Sequence, residues 1–172
     1  MVEVQSALPS PSLGLCVVFT PGGECRVLRG HPEVLAQMAA ADPPDLLTGE
    51  NQARAYATYA TAWTTDAQWG EMPVTSFDEI PWRTVLHAEE RGAVDDLRAR
   101  IGTRVRPATM EASAEGWRLR SWVVSESRVI EREVLVPADG RLVRVDTVHG
   151  DKLPIPPGRV WGIVGGRLVP VQ

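Results

Sequence analysis

Hydrophobic and polar positions alternate in strand-length runs over the last third of the chain, and the runs are parted by short turn sequences. WRLRSWVVS (117–125) and RVIEREVLV (128–136) flank Glu126-Ser127, and a two-residue turn there fixes which residues oppose one another. Trp117 then faces Val136, Leu119 faces Val134 and Val123 faces Ile130 on an apolar side. Arg120 faces Glu133 and Trp122 faces Glu131 on a polar side. A slip of one residue would mix the two sides. Pro137-Ala138-Asp139-Gly140 reads as a four-residue loop of type I character, which opposes Val136 to Arg141, Val134 to Val143, Glu133 to Arg144 and Glu131 to Asp146. Three strands should therefore carry two polar rows, Arg120-Glu133-Arg144 and Trp122-Glu131-Asp146. One residue disobeys: Arg132 falls on the apolar side beside Ser121 and Val145 and would have to reach an edge.

Upstream, LCVVF (15–19) and CRVLR (25–29) around Pro21-Gly22-Gly23 predict a hairpin, and VWGIV and RLVPV about Gly165-Gly166 predict another at the far end. Pro170 lacks an amide, which marks the last strand as an edge. His31-Pro32 opens a helix with Val34, Leu35 and Met38 on one face, and Asp42-Pro43-Pro44 ends it. Thr48 caps a longer helix that presents Tyr56, Tyr59, Ala60 and Trp63 as one stripe, expected to pack on the sheet. Residues 70–75 read as a linker, and Ser76 with Glu79 as a capping box. Trp82, Val85, Leu86, Val94, Leu97 and Ile101 recur at helical intervals over 82–101, with Gly92 a weak point and Gly102 a stop. The fold class is α+β: an antiparallel β-sheet, made of the N-terminal hairpin plus the C-terminal meander, with two to four helices packed on one face. Residues 1–172 should form a single domain behind a flexible N-terminus at 1–12.

Composition narrows the classes of function. A chain of 172 residues suffices for one core, burying roughly 70% of its unfolded surface. No apolar stretch approaches the roughly 20 residues that span a bilayer, and the N-terminus has no basic start, so no membrane association and a cytoplasmic location are expected. Cys16 and Cys25 flank the first hairpin turn and could become neighbours, but they read first as small half-buried hydrophobes. The net charge of −4 opposes a general nucleic-acid binder, although seventeen of the eighteen basic residues are Arg.

His31, His87 and His149 lack metal-ligand spacing; the first suits a helix start and the second a helix face. No metal and no cofactor are expected. His149-Gly150-Asp151, with Asp146 upstream, is the one His/carboxylate cluster, but no nucleophile is fixed beside it and no catalytic set emerges. Neither Gly pair opens a helix ahead of Lys-Ser/Thr, so there is no phosphate loop. The chain reads as a non-enzymatic interaction or accessory protein that binds a protein partner through a sheet face or edge. Trp122, as an exposed anchor, with Arg118, Arg120, Glu131, Arg144 and Asp146 forms the expected contact surface. Homo-oligomerisation through the C-terminal edge strand is a further expectation. A small-ligand binder or enzyme, with a pocket formed by Tyr56, Tyr59, Trp63 and His149, is the alternative. A nucleic-acid module built on Arg118, Arg120, Arg128, Arg132 and Arg144 comes third.

Overall fold

The computed structural model describes residues 2–5, 14–19, 25–28, 31–41, 49–64, 71–156, 160–164 and 167–171. At the start, β1 (Val2–Gln5), β2 (Gly14–Phe19) and β3 (Cys25–Val27) pair antiparallel in that order. Val2–Gln5 is thus a paired strand, although it belongs to the stretch expected to be flexible; residues 6–13 lie outside the described residues. The hairpin register sets Phe19 opposite Cys25 and Cys16 opposite Glu3, so the two cysteines are not cross-strand neighbours, and the exposed Cys25 thiol is free. Helix α1 (Pro32–Ala41) starts with proline at its first position, where a missing amide costs nothing. Its Val34, Leu35 and Met38 close over the fully buried Leu28.

Helix α2 (Glu50–Thr64) lies on the main sheet, which is antiparallel and contains β4 (Glu71–Val74), β5 (Thr109–Ser113), β6 (Gly116–Ser125), β7 (Arg128–Val136) and β8 (Val143–Gly150). β4 and β5 share one edge of β6: Val74 ends beside Trp122 and Thr109 begins beside Arg120. β7 and then β8 follow on the other side. The linker expected at 70–75 is therefore mostly strand; Pro73 is tolerated there because β4 is an edge. β9 (Val160–Val164) and β10 (Arg167–Val171) pair antiparallel, with Pro170 opposite Trp161, while the turn expected at Gly165-Gly166 lies outside the described residues.

The β6–β7 register is the one the two-residue turn dictates, from Trp117 opposite Val136 to Ser125 opposite Arg128. The β7–β8 register differs by one residue. Gly140 N donates to Pro137 O at 3.0 Å, closing the turn, and Gly140 takes the left-handed φ of 74 that favours glycine. Arg141 and Leu142 stay outside the ladder, so Val143 pairs with Leu135, Arg144 with Val134, Val145 with Glu133 and Asp146 with Arg132. The Tyr56 hydroxyl donates to Gly140 O at 2.7 Å and ties this loop to α2.

A second irregularity falls between Val129 and Ile130, which pair with Gly150 and Val148 and leave His149 as the extra residue of a bulge. It sets Gly150 opposite Val129. A Cβ on Gly150 would come 2.7 Å from Leu153 Cδ1 and 3.2 Å from Leu97 Cδ2, so this close approach suits glycine.

The helices divide between the two faces of the sheet, a correction to their expected place on one. Ala53 and Ala57 of α2 pack on Met110, Leu119, Val134 and Val136, the short side chains letting the helix approach closely. On the opposite face, Val94, Leu97 and Ile101 of α3 (Ala88–Ile101) cover Val74, Trp122, Val124 and Val129, joined by Phe77, Ile80, Leu153 and Ile155. These are the α2 face and the α3 face below.

The helix expected over 82–101 starts later because His87 caps it: the His87 backbone N–H donates to Glu90 Oε2 at 2.9 Å. His87 is thus a cap, not a helix-face residue. Residues 82–87 run irregularly beside the end of the meander, with Arg83 N donating to Pro154 O at 2.9 Å. Ser76 precedes only the single 3₁₀ turn Phe77–Glu79, and the Glu79 carboxylate accepts from Thr75 N and Thr75 Oγ1 instead. Among the described residues no helix is long and apolar enough to cross a membrane.

Candidate functional site

Trp122 is 4% exposed and belongs to the core beneath α3. It is therefore not the exposed anchor expected from the strand pattern. Pairing to Glu131 put it on the polar row, but Val74 beside it and α3 above it convert that end of the row into core. The contact surface built around it also divides. Arg118, Arg120 and Glu131 share the α3 face with Trp122, whereas the one-residue offset of β8 turns Arg144 and Asp146 to the α2 face.

The alternative pocket divides as well. His149 lies against Trp122 and Glu131 on the α3 face, Tyr56 packs on the α2 face, and the side chains of Tyr59 and Trp63 lie outside the described residues.

On the α2 face the offset solves the problem posed by Arg132. This guanidinium is 2% exposed and lies directly opposite Asp146. Its Nε donates to Asp146 Oδ1 at 2.8 Å and its Nη2 to Asp146 Oδ2 at 2.9 Å. The other fork grips Glu71 of β4, with Nη2 at 2.7 Å from Glu71 Oε1 and Nη1 also bound to Oε2. Arg144 closes the cluster through Asp146, 2.5 Å, and Glu71, 3.4 Å. Burial alone would raise the Asp146 pKa, but hydrogen bonds and charge from Arg132 and Arg144 hold it at about 2. Burial likewise works to lower the Arg132 pKa, and the two carboxylates overcome it and push it up. Each nitrogen of the fork has a carboxylate partner, which is how a buried ion cluster avoids an uncompensated desolvation cost.

On the α3 face the polar row becomes a chain of contacts. Glu131 Oε2 accepts from Arg104 Nη2 at 2.7 Å and lies 3.0 Å from His149 Nε2. The His149 and Trp122 rings meet at a tilt of 36° with centroids 5.1 Å apart, and Arg104 lies 5.8 Å from the Trp122 centroid. Glu133 draws Arg120 to 2.9 Å and Arg118 to 3.3 Å. Where β4 and β5 part along β6, a cavity of about 240 Å³ opens between Arg120, Trp122 and Glu131 on one side and residues 103–109 on the other.

A second cavity, of about 470 Å³, lies on the α2 face between Pro32 and Leu35 of α1, Thr61 of α2, and Val134, Leu142, Arg144 and Asp146. Among the described residues no group of three or more His, Cys, Asp or Glu side chains is gathered as metal ligands.

The outer edge is β8. Among the described residues it pairs only with β7, and Val143, Val145 and Val148 are 52%, 56% and 48% exposed. No protein family, curated protein or solved structure matches this chain. The side chains themselves must carry any functional reading.

Proposed function

We propose that the protein is a non-enzymatic interaction domain that receives an extended protein segment along the outer edge of β8, and that the segment is β8 of a second copy. The observation behind this reading is the exposed, valine-bearing edge itself. A long edge strand without Pro or Lys offers unpaired backbone groups to another strand, and those hydrogen bonds supply affinity while alternate side chains supply selectivity.

The sequence of β8 favours its own copy. Antiparallel pairing centred on Val145 would set Val145 against Val145 and place Arg144 opposite Asp146 twice, apolar on apolar and cation on anion. This moves the expected self-association from β10, whose Pro170 removes one donor, to β8. The cytoplasm is the compartment this reading assumes, in keeping with the free Cys25 thiol.

Sedimentation velocity between about 1 and about 100 μM tests it. Wild type should dimerise with rising concentration, and Val145→Lys should be monomeric because two ammonium groups would meet at the two-fold axis. The melting temperature should hardly change, since Val145 is exposed. A wild-type monomer throughout, or a dimer indifferent to Val145→Lys, would refute the reading.

The cavity under α1 and α2 favours ligand binding as the second reading. A nucleic-acid role draws little support, because Arg118, Arg120, Arg128, Arg132 and Arg144 each already face a carboxylate and are split between two faces.

A further inference from the structure

Independently of the β8 edge, we infer that the cavity on the α3 face binds the phosphate group of a small phosphate monoester. In a chain of net charge −4, Arg104, Arg106, Arg120, Thr103 and Thr109 line this hollow, and Glu131 is the one carboxylate among its lining residues. Glu131 is already held by Arg104 at 2.7 Å and lies 3.0 Å from His149. Arg120 is held by Glu133 at 2.9 Å. Arg106 is exposed and makes no hydrogen bond or ion pair among the described residues, so its charge is the one left unmatched at the rim.

The donor set selects the anion. Arg104 and Arg120 each give one donor to a glutamate, which leaves their remaining N–H groups, the whole Arg106 fork and two hydroxyls; a phosphate monoester meets such a spread set with three terminal oxygens in a tetrahedron, where a carboxylate offers two in a plane. Arginine suits this role because its planar fork meets phosphate oxygens in pairs.

Size limits the rest of the ligand. About 240 Å³ equals the liquid volume of about eight waters, which admits a phosphate with a short organic stem. The wall that could adapt is the connection from α3 to β5, residues 102–108, because it carries Thr103, Arg104, Arg106 and Pro107. Its opposite wall is fixed by the buried Trp122 and by the β6–β7 ladder. The hollow exists because β4 and β5 leave a gap along β6 between Trp122 and Arg120.

Nuclear magnetic resonance titration of the full chain with inorganic phosphate and glycerol phosphate tests this, with acetate at matched ionic strength in parallel. Both phosphates should shift the amides of Thr103, Arg104, Arg106 and Thr109 and the Trp122 indole, saturating near about 1 mM. Arg106→Ala should weaken binding about tenfold, with folding unchanged because this side chain is exposed and makes no hydrogen bond or ion pair among the described residues. The inference is overturned by any of four results: shifts that do not saturate, shifts that map elsewhere, equal affinity in Arg106→Ala, or acetate binding as tightly as phosphate.

Discussion

Replacing Arg132 by Met removes the cation that two carboxylates share while keeping an unbranched side chain of similar length in the same slot. Arg132 is 2% exposed, and its partners Glu71 and Asp146 are 15% and 24% exposed. Removing one partner of a buried ion pair costs about 3–5 kcal/mol, and Arg144 remains to hold both carboxylates, so the lower end, about 3 kcal/mol at pH 7, is expected. For a chain of this size that is a fall of about 6–12 °C in Tm.

The pH dependence gives a second, sharper signature. In the wild type the Asp146 carboxyl sits at about 2, below its ordinary 3.8, so its contribution is complete above about pH 4 and is lost as pH falls through 2. The full shift would convert to about 2.4 kcal/mol, and solvent screening of this partly exposed group reduces it to about 1 kcal/mol. Without Arg132, burial acts on the Asp146 carboxyl with Arg144 alone opposing it, and protonation relieves the variant. The stability difference should therefore narrow from pH 7 toward pH 3. Urea unfolding across that range is the assay. A difference under about 1 kcal/mol at pH 7, or one constant with pH, would refute the assignment of Arg132 as the centre of the cluster.

Trp122→Ala should lower stability by about 3–5 kcal/mol, measured by the same unfolding, because the ring is core beneath α3; a loss near zero would return Trp122 to the surface. Glu126 opens the β6–β7 turn at φ 55, a conformation that costs most residues about 1–2 kcal/mol and that Asn tolerates. Glu126→Asn should raise Tm by about 2–4 °C, and an unchanged or lower Tm would show that the turn is not strained.

The sheet was legible where turn length was unambiguous. Glu126-Ser127 allows one register, and every β6–β7 pair followed from it. Pro137 to Gly140 did not fix the end of its loop, because the left-handed Gly140 lets the chain re-enter one residue later. Yet the misfit of Arg132 on an apolar row already asked for a carboxylate opposite it, and a register placing Asp146 there was one step away. Glu71 gave little warning, since four residues with a proline do not alternate long enough to read as a strand. Trp82 and Leu86 kept helical spacing but pack on the α3 core from an irregular segment, while Val85 between them is exposed. Pairing identified the row of Trp122 but not what would lie over it, because burial there depends on α3 and β4, which are distant in sequence. Arg104 and Arg106 carry no signal in the pattern for the same reason: their place beside the cavity depends on the gap between two half-length strands.

β5 through β8 follow one another through short turns and can pair as soon as they are made, whereas β4 reaches β6 only after the whole of α3 has been threaded back. Glu71 arrives with that late strand, 61 residues before the arginine it grips. Until it docks, the nearly assembled sheet holds a cation with half its counter-charge, an incomplete state that gains little by persisting. The arginine thereby makes the last strand a condition of the first four, so the sheet should assemble and come apart as a single cooperative event.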